Sequence, residues 1–135
     1  MTTKTEYLGN LRTTITHIES GTVLITDAPK DNQGEGNSFS PSDLLATSLS
    51  SCMLTIMGIA ARTHGFSIDG AKATTSKIMN SSPRRVAEIV VDITFPHDNY
   101  SDKERKLLHA AARECPVAKS LSHEVKQTIN FVFKK

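Results

Sequence analysis

The fold is decided by the stretch Ser40-Pro-Ser-Asp-Leu-Leu-Ala-Thr-Ser-Leu-Ser-Ser-Cys52-Met-Leu-Thr-Ile-Met-Gly-Ile-Ala-Ala-Arg-Thr-His64. Ser40 is a good helix cap, Pro41 suits the first helical position, and Asp43 can complete a capping box with Ser40. The glycine that follows, Gly65, is the residue type that most often ends a helix. The pattern predicts a helix that starts at Pro41 and fills the rest of this stretch, roughly 36 Å at a rise of ~1.5 Å per residue.

Apolar side chains surround almost the whole circumference of this helix, which predicts that it is buried on most sides. A chain of 135 residues is too short to wrap a helix of this length alone. We therefore expect a second subunit to cover part of it. The stretch is not expected to span a membrane because it carries several polar residues, namely Thr47, Ser48, Ser50, Ser51 and Thr55.

Before the helix, the sequence predicts a hairpin followed by a long loop. Residues Thr5–Ile18 and Thr22–Thr26 are rich in β-formers, and Ser20-Gly21 between them is a turn signal. From Asp27 to Ser40 the chain is composed mainly of Pro, Gly, Asn, Asp and Gln, which form turns and bury little. A loop of this length is often functional, so it is a candidate wall of a binding site.

After the helix, the sequence predicts a second hairpin from Ile68–Met79 and Arg85–Phe95. The later run alternates apolar and polar residues, as a strand with one buried face does.

The C-terminal part predicts a second helix and a last strand. Ser101 and Glu104 form another capping-box pattern, and Pro116 discourages helix beyond Cys115. A short turn follows, and residues Val125–Phe133 read as the last strand. The order ββ-α-ββ-α-β indicates an α+β fold, in a single domain that covers residues 1–135.

Composition and charge exclude several functions. Sixteen Lys and Arg oppose fourteen Asp and Glu, for a net charge of +2, and the basic residues form no stripe that would bind nucleic acid. The five histidines lack metal-ligand spacing, and no glycine-rich phosphate loop is present, so we expect neither a metal nor a cofactor. Two cysteines without an export signal favour a reducing compartment, the cytoplasm.

Cys52 and Cys115 each fall on the apolar face of their helix. Packing these two helices in one core could bring the two sulfur atoms together. Free cysteine is also among the most buried residue types, so simple core packing is an equal alternative.

Three segments, Phe39–Ala46, Leu49–Met53 and Glu114–Leu121, resemble the OsmC/Ohr family of osmotically inducible and organic-hydroperoxide-resistance proteins. The second contains Cys52 and the third contains Cys115 in Cys-Pro-Val. The resemblance covers essentially the whole chain. It implies an intertwined α+β homodimer with the long helix at its centre and two sites at the subunit interface.

The resemblance also implies the roles of the two thiols. Cys52 would attack a hydroperoxide, and Cys115 would resolve the product as a disulfide. The nucleophilic form of cysteine is the thiolate, and apolar surroundings disfavour its charge, so a cation must offset the burial. The family takes an arginine from its N-terminal β region, which indicates Arg12, although an ordinary exposed strand residue is the alternative.

The carboxylate that would hold this arginine departs from the family pattern. Peroxidase members carry a glutamate ten residues before the first cysteine, where this chain has Ser42. The neighbouring Asp43 would lie on the face of the helix opposite Cys52 at ~100° per residue, and a capping role explains it better. Glu35, in the loop, could substitute as the carboxylate, or could be an ordinary solvated acid.

The sequence therefore predicts a thiol-dependent peroxidase for organic hydroperoxides, with an unidentified dithiol as reductant and no nucleic-acid or membrane partner. The alternative is a non-catalytic module that binds an apolar or thiol-reactive small molecule at the dimer interface.

Overall fold

The computed structural model describes residues 1–135 and folds the N-terminal part of the chain into an antiparallel sheet in the order β1-β2-β3. The strands are β1 Thr3–Gly9, β2 Arg12–His17 and β3 Val23–Asp27. Contacts within the chain divide it into two compact units, residues 1–45 and residues 46–135. The first unit contains this sheet, and the prediction of a single domain stays a prediction.

The first strand differs from its sequence-based expectation. Residues 5–18 form two strands joined by a tight turn at Asn10 and Leu11, which have φ values of 54° and 62°. Two successive residues with positive φ give the turn whose twist matches a hairpin. The usual sequence signal for such a turn is Asn-Gly. Here Leu11 replaces the glycine and continues the alternation of apolar and polar residues, so the sequence does not mark the turn. The strand order therefore contains one strand more than expected.

The loop after β3 lies close to its own starting point. It contains a short 3₁₀ turn at Lys30–Asn32, and Phe39 accepts a hydrogen bond of 2.9 Å from the Asp27 backbone. A Cβ added to Gly34 would lie 1.7 Å from the backbone oxygen of Ala28, so only glycine fits. The long loop is confirmed, and its glycine permits the close approach of two backbone segments.

Helix α1 spans Pro41–Thr63, one residue shorter than expected. Its C-terminal end has the predicted glycine, since Gly65 has φ 76°. The Phe66 backbone donates to the Ala61 oxygen at 2.9 Å, which is the hydrogen bond of a Schellman motif.

Only one face of α1 is buried in this chain. Its most buried apolar residues, spaced four apart, are Leu49, Met53, Met57 and Ala61. Ile59 on the opposite face is exposed, as is Leu45 near the N-terminal end, so the chain alone does not bury the helix on most sides. By length and composition α1 could also cross a membrane, with a mean hydropathy of 1.8 and 33% of that window buried. Core helices share this composition, and the absence of a membrane partner stays a prediction.

Residues 46–135 form a second three-stranded sheet with the helices. Strand β4 Lys72–Ser81 runs antiparallel to β5 Arg84–Phe95, which pairs in parallel with β6 Lys126–Phe133. The predicted alternation in β5 is confirmed because its inward residues are fully buried, namely Ile89, Val91, Ile93 and Phe95. The α+β class is confirmed.

Helix α2 spans Asp102–Arg113, and a short helix α3 spans Pro116–Ser120. The predicted capping box is present, since Ser101 accepts from the Glu104 backbone and Glu104 accepts from the Ser101 backbone. Cys115 lies at the junction between α2 and α3.

Candidate functional site

Cys52 and Cys115 lie in the same unit and meet. Cys52 is on α1, half-buried, next to the buried residue Met53, whereas Cys115 is completely buried. Both cysteines are free thiols, and Cys52 lies close enough to Cys115 to raise the pKa of the Cys115 thiol. The expectation that helix packing brings the two sulfur atoms together is confirmed.

The surroundings of Cys115 keep it protonated. Burial raises the pKa of the Cys115 thiol above its ordinary value, and the hydrogen bond with Cys52 raises this pKa further. Hydrogen bonds from the Ala118 and Val117 backbones act in the opposite direction and do not outweigh burial. The Cys115 thiol is therefore a poor nucleophile until its proton is removed.

Cys115 also begins a helix. Its Sγ accepts a hydrogen bond of 3.4 Å from the Ala118 backbone, so the sulfur is the N-cap of α3. Pro116 occupies the first helical position, where a missing N–H costs nothing. The Cys-Pro-Val sequence thus fixes the position of the Cys115 side chain.

A half-exposed thiol beside a buried thiol can perform sequential oxidation. An oxidant from solvent reaches Cys52 first, and a sulfenic acid formed there would have Cys115 beside it. Condensation to a disulfide then needs only a local adjustment of the two side chains.

Arg12 and Glu35 come together in the other unit, residues 1–45. Arg12 Nη2 donates to Glu35 Oε2 at 2.7 Å, and the Glu35 side chain is 73% exposed. The Asn37 side chain also donates to Glu35 Oε2, at 3.0 Å. Glu35 was a candidate for the carboxylate that holds this arginine, and in the structure the two residues form an ion pair.

Asp27 is the residue of this cluster that the sequence analysis missed. Its side chain is 1% exposed, and its Oδ1 lies 3.6 Å from Arg12 Nε. The register of the hairpin pairs Arg12 with Asp27, whereas a turn centred on Ser20-Gly21 would place Arg12 opposite Pro29. Strand propensity alone predicted that the strand ends at Thr26, which placed Asp27 in the loop.

Asp43 occupies the capping position that the sequence predicted. Its Oδ2 accepts from the Ser40 backbone at 2.9 Å, and its own backbone N–H donates to Ser40 Oγ at 3.0 Å. Ser42, at the position of the family glutamate, has its Oγ 3.2 Å from Ser40 Oγ. Both residues thus contribute to the start of α1.

No group of three or more His, Cys, Asp or Glu side chains is arranged to hold a metal ion. Met53 and Met57 are buried in the hydrophobic core.

Comparisons with known proteins give a consistent family. A model described as OsmC-like protein matches residues 34–130. A solved structure from Psychrobacter arcticus 273-4, provisionally described as an osmotic stress induced and detoxification response protein, is 48% identical with a TM-score of 0.92. That likeness covers 97% of this chain and 95% of the other.

Two more distant structures share the fold. The organic hydroperoxide resistance protein OsmC of Legionella pneumophila is 18% identical with a TM-score of 0.76, over 98% of this chain and 97% of the other. OhrB of Bacillus subtilis, an organic hydroperoxide resistance protein, is 20% identical with a TM-score of 0.69, over 97% and 98%. No curated protein sequence matches this chain.

Proposed function

The chain belongs to the family of OsmC-like proteins, and from this premise we propose that it is a thiol-dependent peroxidase that reduces organic hydroperoxides. The observation that supports this proposal most directly is the pair of free, neighbouring thiols, Cys52 half-exposed and Cys115 buried. The peroxide-related redox role agrees with the names of the relatives that share the fold.

The proposed reaction has three steps. The Cys52 thiolate attacks one peroxide oxygen, the O–O bond breaks, and the alcohol leaves with a proton, so that Cys52 becomes a sulfenic acid. The Cys115 sulfur then attacks the Cys52 sulfur, water leaves, and a disulfide forms. An external dithiol reduces this disulfide by exchange. The balance is one hydroperoxide and two thiols converted to one alcohol, one water and one disulfide.

We assign to Arg12 the cation that favours the Cys52 thiolate, as the resemblance implies. A guanidinium remains charged at any physiological pH and can donate two hydrogen bonds at once, which suits a thiolate or a peroxide oxygen. Its contacts with Glu35 and Asp27 show that the Arg12 side chain is held by carboxylates and does not extend freely into solvent.

The substrate class follows from the side chains around the attacking thiol. Cys52 itself packs against the hydrophobic core, as does Ile56 one turn further along α1. Apolar surroundings favour an alkyl or acyl hydroperoxide over hydrogen peroxide, because burial of the carbon chain releases surface water.

We further propose a homodimer. Most exposed apolar residues lie in residues 1–45, on both faces of the first sheet and in its loops, namely Tyr7, Leu8, Leu11, Ile18, Val23, Leu24, Ile25, Phe39 and Leu45. So many exposed apolar side chains in 45 residues are typical of an interaction surface. The exposed face of α1 adds Ile59. A second copy of the chain, which exposes the same surfaces, can cover both the sheet and the helix face.

We also propose a cytoplasmic location, where the reducing environment would keep the two thiols free between turnovers.

One observation favours the alternative of a binding module. Ser42 replaces the glutamate of peroxidase members, and the nearby Asp43 is engaged in the helix cap. A protein without an activated thiol could still hold an apolar or thiol-reactive molecule at the same place.

Stopped-flow mixing of the reduced protein with cumene hydroperoxide and, separately, with hydrogen peroxide tests the proposal. We expect Cys52 to oxidise much faster than a free thiol, and faster with cumene hydroperoxide. A rate equal to that of a free thiol with both oxidants would replace the peroxidase with the binding module.

A further inference from the structure

Arg12 and Asp27 stand directly opposite each other in the first sheet. The register of β2 and β3 pairs Arg12 with Asp27, Thr13 with Thr26 and Thr14 with Ile25. Side chains of directly opposed residues lie on the same face, with Cβ atoms about 4.5–5.5 Å apart. The backbone of two paired strands therefore sets the distance between this guanidinium and this carboxylate.

The Asp27 carboxylate is buried and only partly satisfied. Its Oδ2 accepts from the Asn37 backbone at 2.9 Å, whereas its Oδ1 has no hydrogen-bond partner. Arg12 Nε, at 3.6 Å, is the cation that faces Oδ1. A buried carboxylate without a countercharge is strongly unfavourable, and Arg12 provides the positive charge that faces Asp27.

Glu35 contacts the other end of the same guanidinium in a different way. It binds Arg12 Nη2 from an exposed loop and has no place in the sheet. Exposed ion pairs contribute little to stability, because water competes for both charges. Glu35 can leave Arg12 without loss of a strand contact, whereas Asp27 cannot.

We propose that Asp27 is the positioning residue for Arg12: it fixes the guanidinium through Nε, while Glu35 is a replaceable partner on Nη2. Nη2 is then the end that turns from Glu35 to a thiolate or a peroxide oxygen. The consequence for catalysis rests on the peroxidase activity proposed above, whereas the anchoring of the guanidinium does not.

The first experiment measures anchoring alone. The Arg12 Nε–H signal in a ¹H–¹⁵N spectrum, identified by its loss in Arg12→Lys, should shift and exchange faster with water in Asp27→Asn. The control is Glu19→Gln, which makes the same change at an exposed acid in the turn of the same hairpin and should leave the signal in place. An unchanged Arg12 Nε–H signal in Asp27→Asn overturns the proposal.

The second experiment measures the rate of Cys52 oxidation by cumene hydroperoxide. Asp27→Asn should lower this rate by about tenfold or more, because misplacement of a catalytic group is costly. Glu35→Gln should also lower the rate of Cys52 oxidation, but its fold-loss should be at least about five times smaller than that of Asp27→Asn. The reason is that an exposed partner is replaceable.

A double variant separates positioning from a general structural loss. Arg12→Lys keeps the charge and removes Nε, so adding Asp27→Asn to it should slow the reaction no further. If the double variant loses rate by the product of the two single-variant losses, the proposal is overturned. A wild-type rate in Asp27→Asn also overturns it. If Asp27→Asn does not fold, Arg12→Lys alone must lower the rate of Cys52 oxidation by about tenfold or more. A wild-type rate in Arg12→Lys would overturn the proposal. If the wild-type protein reacts no faster than a free thiol, the peroxidase proposal fails while the Nε–H signal still decides the anchoring.

Discussion

Cys52 on α1 lies close enough to Cys115, at the start of α3, to raise the pKa of the Cys115 thiol, while both cysteines remain free. Their exposure differs, since Cys52 is half-buried and Cys115 is inaccessible to solvent. This difference gives the two thiols different roles in any oxidation that begins in solvent.

The first prediction separates these roles. Cys52→Ser should abolish peroxide consumption and leave Cys115 unmodified, because a hydroxyl does not replace a thiolate nucleophile. Cys115→Ser should retain the first fast oxidation and stop at a sulfenic acid that dimedone traps. Serine is also a good N-cap, so α3 should persist in this variant. Intact mass spectrometry after one equivalent of peroxide reads both results, and the wild type should lose two hydrogens as a disulfide forms. A wild type that stays reduced while a control thiol oxidises would contradict the redox assignment.

The second prediction concerns stability at high pH. Burial, followed by the hydrogen bond with Cys52, raises the pKa of Cys115 above its ordinary value of 9.0. The folded state then binds this proton more tightly than the unfolded state does, so its contribution to stability is complete below that ordinary value. It is lost as the pH rises through the raised pKa.

Urea unfolding at a series of pH values from about 8 to about 11 should show this loss, reduced in Cys115→Ser. Burial also raises the pKa of Tyr100, which has the same sign and is common to both proteins, so the difference isolates Cys115. Identical pH dependence in the two proteins would show that the Cys115 proton is not held by the fold.

The third prediction tests the cap of α1. Asp43→Asn should lower the free energy of unfolding by roughly 0.5–1 kcal/mol, because it removes a negative charge from the helix N-terminus. The rate of Cys52 oxidation should hardly change, since the carboxylate contacts the Ser40 backbone. Chemical denaturation and stopped-flow oxidation measure the two quantities. A large loss of Cys52 reactivity at unchanged stability would place Asp43 in the reactive site.

The fourth prediction is oligomeric state. Sedimentation at micromolar concentration should give twice the chain mass of 14.7 kDa, because the first sheet and one face of α1 leave much apolar surface exposed. Dilution should lower the mass and the thermal stability together, as mass action requires of a dimer whose folding and assembly are linked. A folded monomer at this concentration would contradict the dimer and, with it, an interfacial site.

The sequence predicted local elements where one residue type has one strong use. Ser40 with Asp43, Ser101 with Glu104, and Gly65 mark helix ends through backbone hydrogen bonds that their side chains or conformations satisfy. The proximity of the two thiols was one of two interpretations of the apolar faces of their helices, and simple core packing was the other.

Other features depend on pairing that local patterns do not encode. The turn at Asn10 and Leu11 uses positive φ at a leucine, which propensity disfavours and only the strand pairing reveals. Asp27 acquires its meaning from the residue opposite to it, and Glu35 from a loop held close by Gly34.

Strand β6 has a consequence for how the chain is made. It pairs with β5 in parallel, and Phe133 stacks on Phe95 with ring centroids 4.7 Å apart. Strand β6 is synthesised after α2 and α3, so Phe95 lacks this partner during most of translation. The hairpins of the first sheet pair near neighbours and can form early. Residues 46–135 can complete their core only after Phe133 has left the ribosome, and until then the apolar face of β5 is a surface for chaperones to protect.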